Sequence, residues 1–153
     1  MRRSSLAVSL CFLLAFGFTG CGNDEDTEDF AVTLAGASEV PPTGSAASGS
    51  ATFKRDGNTV KFDVQVSGIT AVIMAHIHSG AAGANGPIRV NLFLGPTTGA
   101  LNGRLVEGTF TTSDVMTLSF DALLAEMRAG TAYVNVHTTA FPTGEIRGQV
   151  QLQ

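Results

Sequence analysis

No tryptophan occurs in the 153 residues, only two cysteines and three histidines are present, and nine Lys or Arg are outnumbered by thirteen Asp or Glu. The shortage of cations argues against nucleic acid as a partner. From Phe30 onward seven Lys or Arg stand against eight Asp or Glu, and no run of them makes a basic patch. The cysteines leave no room for a disulfide in the mature chain: Cys11 lies in an apolar leader expected to be removed, and Cys21 is then the only thiol. The domain must therefore hold together by packing, helped by a metal if one binds. No serine stands in a nucleophile-elbow motif, which together with the missing thiol argues against hydrolase chemistry. One loop is glycine-rich, but no GK[ST] follows it, so it is not a phosphate cradle.

What the chain does have is 18 glycines, ten phenylalanines and many Val and Thr, a composition that suits short strands joined by tight turns. An all-β single domain is the expectation, preceded by a targeting segment. Arg2 and Arg3, the apolar run Leu6 to Phe18 and the small residues before Cys21 have the layout of a secretory signal. FTGC resembles the lipobox of bacterial lipoproteins, with Phe18 where an aliphatic residue is usual. That resemblance implies a signal over residues 1–20, a lipid on Cys21 and an extracytoplasmic protein anchored to a membrane, facing the periplasm or the cell surface. Residues 22–29, GNDEDTED, read as a solvated acidic tether.

Past the tether, Phe30, Val32 and Leu34 alternate with smaller residues in a first strand that stops at Gly36. Pro41 and Pro42 predict a loop crossing over Glu39 to Gly44. Ser48–Lys54 and Thr59–Ser67 form a predicted hairpin about Arg55-Asp56-Gly57-Asn58, with Val60, Phe62, Val64 and Val66 inward. Further strands are expected around Ile73–His78, at Ile88 to Leu92, and over Leu105–Thr112, Val115–Phe120, Thr131–Thr138 and Glu145–Leu152. The segment from Gly95 to Gly103 reads as loop. The one helix predicted is Asp121–Ala129, capped by Asp121 and ended by Gly130. Eight or nine short strands at this spacing predict a Greek-key sandwich or barrel.

All three histidines fall in two alternating runs. In IMAHIHSG, His76 and His78 share a face with Met74, and in TAYVNVHT, His137 shares a face with Tyr133 and Asn135. His-x-His on a strand supplies two metal ligands without distorting the backbone. If the last two strands pair, His137 comes close to Glu145 and Arg147.

The segments AGASEVPPTGSAASGSATF, AHIHSGAAGANGPI and AYVNVHTTAFPTGEIRGQV together resemble the CHRD family, the domain first described in chordin and widespread as a bacterial secreted or lipid-anchored single domain. The resemblance covers residues 30–153 and implies an immunoglobulin-like β architecture with Glu39, His76, His78, His137, Glu145 and Arg147 in matched motif positions. Three imidazoles point to copper or zinc, with Glu145 or Glu39 as a fourth ligand or as the acceptor that fixes a ring tautomer. Copper–zinc superoxide dismutase offers an analogy, with Arg147 as the catalytic group that steers the anion, or Arg89 in that steering role. Against it, the chain has no fourth histidine, no second metal site and no disulfide. The competing expectation is a surface module that recognises an extracellular protein or polysaccharide, its histidines hydrogen-bonded to neighbours such as Glu39 or Glu145.

Overall fold

A computed structural model describes Thr27–Gln153. The expected signal, Cys21 with its expected lipid, and the expected tether as far as residue 26 lie outside the described residues.

Nine antiparallel strands make one sheet rolled into a nearly closed barrel, with a single α-helix among the described residues. They are β1 (Thr27–Ala35), β2 (Ser48–Asp56), β3 (Thr59–Thr70), β4 (Val72–Ser79), β5 (Ile88–Leu94), β6 (Ala100–Thr111), β7 (Ala132–Thr138), β8 (Ile146–Gln149) and β9 (Gln151–Leu152), with α1 at Phe120–Arg128. Strand order is β5-β4-β7-β8-β1-β2-β3-β6, and β9 pairs with β1. The expected all-β class is what forms. Phe30, Val32 and Leu34 of β1 and Val60, Val64 and Val66 of β3 are buried as their alternation requires.

Several boundaries differ from the sequence expectation, each for a local reason. β1 starts at Thr27 within the acidic run, because Glu28 is a paired residue: its carboxylate accepts from Arg55 Nη1 at 3.0 Å and, in a fork, from Arg128 Nε and Nη2 at 2.5 and 2.7 Å. The Arg128 hydrogen bond, more than any other interaction, holds the Glu28 carboxyl below the usual range. β6 begins at Ala100, so the expected loop shrinks to 95–99. Val115–Phe120 is no strand. A 3-10 turn at Thr112–Asp114 interrupts the chain, Thr117 takes a φ of 55°, and the segment touches the sheet through Met116 N–H donating to Arg89 O at 2.8 Å. Ser119, in place of Asp121, caps α1 by accepting from Ala122 N–H at 3.2 Å. The expected last strand divides at Val150, whose N–H donates to Ala132 O, and Leu152 comes out half exposed although it shares the alternation of the buried Ile146 and Val150.

The feature that positions the site is β7, where all seven residues are buried. One face, with Val134 and Val136, lies in the apolar core beside Ala75, Ile77 and Ile146. The other carries Tyr133, Asn135 and His137 in a polar layer that the loops 36–47 and 79–87 cover. A register shift between Val72 and Met74 turns Val72 inward in place of Ile73, so the inner residues of β4 are Val72, Ala75 and Ile77.

Candidate metal centre

Antiparallel pairing of β4 with β7 sets His76 opposite Asn135, His78 opposite Tyr133 and Met74 opposite His137. The three imidazoles thus converge on one face across two adjacent strands, and all are buried, at 2, 8 and 7% exposure for His76, His78 and His137. One nitrogen from each ring lies within 4.8 Å of the others. His76 Nδ1 and His137 Nε2 are 3.2 Å apart. That is close to the ~3.3 Å that two imidazole nitrogens take up on one ion with bonds of about 2.0 Å, so the widest pair has about 1.5 Å to close.

Backbone carbonyls decide which nitrogens are free. His78 Nδ1 faces Gly86 O at 2.9 Å and His137 Nδ1 faces Pro142 O at 3.0 Å. A carbonyl only accepts, so both Nδ1 atoms carry the proton and both Nε2 atoms hold a lone pair. His137 Nε2 accepts the hydrogen bond that His76 Nδ1 donates, so that proton must leave Nδ1 for His76 to ligate through it. His78 Nε2 is buried with no hydrogen-bond partner. An orphaned, buried lone pair costs on the order of 1–3 kcal/mol unless something binds it, and a metal ion is one group that could.

Electrostatics keeps the rings neutral. Burial, reinforced by His137 and His78, pushes the His76 pKa down to about 4. His78 and His137 are lowered mainly by burial as well, with the carbonyl contacts pulling the other way. Neutral imidazole is the form a metal takes.

Neither carboxylate expected at the site joins the cluster of ligand atoms. Glu39 Oε1 accepts from Asn135 Nδ2 at 2.7 Å, in a space left open because residue 144 is glycine: a Cβ there would lie 2.3 Å from Asn135 Nδ2 and 2.6 Å from Glu39 Oε1. Burial raises the Glu39 pKa to about 7 against the pull of Arg147. Glu145 spends both oxygens on hydroxyls, Ser45 Oγ and Thr138 Oγ1, each at 2.6 Å. It fastens the 36–47 loop to β7.

Arg147 is 1% exposed. Its guanidinium lies 3.3 Å from the centroid of the Tyr133 ring, and it donates to Ala84 O at 2.8 Å, Ala81 O at 3.1 Å, Asn85 Oδ1 at 3.1 Å and Gln149 Oε1 at 3.2 Å. Tyr133 in turn stacks on His78, with centroids 4.8 Å apart and planes 10° from parallel. Arg89, the other cation near the loop, donates to Ser79 Oγ at 2.6 Å and Thr117 Oγ1 at 2.6 Å. The parts of the site that sequence reasoning missed are the carbonyls of Gly86 and Pro142 and the orphaned Oδ1 of Asn135. Carbonyl direction has no residue signature. Only the glycine spacing after His78 hinted that backbone comes close there.

The fold and this polar layer define a small all-β domain with a covered histidine cluster, and the CHRD domain model matches residues 30–150. The chain belongs to the CHRD-domain family. No curated protein and no solved structure matches it.

Proposed function

We propose that this domain is an extracytoplasmic, lipid-anchored binder of a transition metal, copper or zinc, held by His76, His78 and His137. The observation that carries the reading is the His78 ring, with its Nδ1 proton committed to Gly86 O and its Nε2 lone pair buried without a partner beside two further imidazoles. Three neutral nitrogen donors with no thiolate or carboxylate suit copper by the ordering of affinities for nitrogen sites and also suit zinc with a water as fourth ligand. Buried Asn135 Oδ1, likewise without a donor, is an acceptor that such a water would satisfy.

Metal analysis of untagged protein after copper or zinc loading and gel filtration is the test. One equivalent is expected for the native chain, with losses on the order of a hundredfold in affinity for His78→Ala and His137→Ala. A native chain that retains no metal leaves the surface-module reading, in which the histidines only fasten strands to loops. Copper in this centre could cycle between two oxidation states, and superoxide turnover by the loaded protein tests the dismutase analogy. Arg147 and Arg89 are both engaged by neighbours, so steering of an anion by either of them is the weaker part of that analogy.

A further inference from the structure

Whether His78 can ligate through Nε2 is decided at its other nitrogen, and so by whatever holds Gly86 O in place. Imidazole left to itself prefers the proton on Nε2, the arrangement that cannot bind an ion there. The hydrogen bond from Nδ1 to Gly86 O reverses that preference. Gly86 ends an exposed loop containing Gly80 and Gly83, a stretch with little stiffness of its own. It must also be glycine, since a Cβ would fall 1.7 Å from Ser79 O.

The stiffness comes from beneath. Arg147 gathers the carbonyls of Ala81 and Ala84 and the side chain of Asn85, and Asn85 Nδ2 donates across to Val40 O at 2.9 Å. Gly86 N–H donates to Tyr133 Oη at 3.2 Å. His78, Tyr133 and Arg147 come from the adjacent strands β4, β7 and β8, with the phenol ring in contact with both the imidazole and the guanidinium. A planar fork that binds several carbonyls while lying on an aromatic ring is a task for arginine and not for lysine.

We propose that Arg147 is the positioning residue of the histidine centre: by stapling the 80–86 loop and backing the Tyr133 ring, it holds His78 in the tautomer that ligates through Nε2. Its purpose rests on the metal-binding reading, but its observable does not. In metal-free, nitrogen-15-labelled protein at pH 7.5, two-bond proton–nitrogen correlations read which nitrogen of His78 is protonated. The native chain is expected to show the proton on Nδ1. Arg147→Met is expected to populate the Nε2-protonated form and to lower copper or zinc affinity roughly 10- to 100-fold. Asn85→Ala, a change on the exposed loop, removes one acceptor of the guanidinium and the link to Val40. It is expected to shift both readouts in the same direction by less, and it decides the matter if Arg147→Met does not fold. A native tautomer and native affinity in the folded variants overturn the proposal. A tautomer that responds in a chain that binds no metal sustains the positioning role and removes the metal reading.

Discussion

Burial of the three imidazoles has a consequence for acid stability whose sign can be worked out. Above the ordinary value of 6.5, His76 is neutral whether the chain is folded or not. Below it the unfolded ring takes a proton that the folded ring refuses until about pH 4, so stability falls as the pH drops through that window. A shift of this size is worth on the order of 3 kcal/mol at most. His78 and His137, also lowered, act in the same direction. Glu39, raised to about 7, opposes them, because between 4.5 and 7 its folded form keeps a proton that the unfolded chain has lost. His76 and Glu39, shifted by about the same amount in opposite senses, nearly offset each other, so the net loss comes from His78 and His137. Urea midpoints of the metal-free protein are expected to be lower at pH 5 than at pH 7.5, and a flat or rising profile would contradict the buried neutral state of the rings. The residues of this centre were legible from alternation alone, which placed His76, His78 and His137 outward from the apolar faces of their strands. Their neutrality was not legible, because it depends on the cover supplied by loops that have no periodicity.

At the scale of the element, α1 shows what a single cap contributes. Ser119 accepts from Ala122 N–H, and the helix then opens on Phe120, which is buried in the core. Ser119→Ala is expected to cost about 1 kcal/mol, while Asp121→Ala, in the first turn but without the capping bond, should cost a few tenths through the helix dipole alone. Denaturant melts of the two variants separate them, and equal costs would return the cap to Asp121. Leu123, Leu124 and Met127 made the helix itself visible in the sequence. The start was missed because Ser119 and Asp121 are both good caps, and what chooses between them is the demand of Phe120 for the interior. The same kind of contest hid the fate of 115–119. Val115, Met116 and Leu118 have the composition of a strand, but the Thr111–Asp114 turn and the positive φ of Thr117 take the chain off the sheet.

The whole molecule presents one barrel with two interiors, an apolar one that the alternating pattern announced and a polar one that it did not. Arg147 illustrates the difference. Its place opposite Ile146 and Gly148 on the last strands reads as solvent-facing, yet the loops 36–47 and 79–87 close over it, fastened by Glu145, Asn85 and the guanidinium itself. The class of fold needed only local signals. The covered layer needed contacts up to a hundred residues apart in the chain, such as Ser45 with Glu145, which no window of sequence contains. Attachment is a property of the molecule as a whole. If Cys21 carries the lipid, Cys21→Ser is expected to move the protein from the membrane fraction to the soluble one and to abolish incorporation of labelled palmitate. An unchanged distribution would count against the anchor.

β7 lies between these two interiors, flanked by β4 and β8 and buried along its whole length. Its amides have no route to solvent by fraying or by the lifting of one covering loop, since the opposite layer would still enclose them. In deuterated water the amide protons of Val134 and Val136 should be among the last to be replaced, at a rate set by unfolding of the entire domain, and an ion bound by His137 should slow them further by the free energy of its binding.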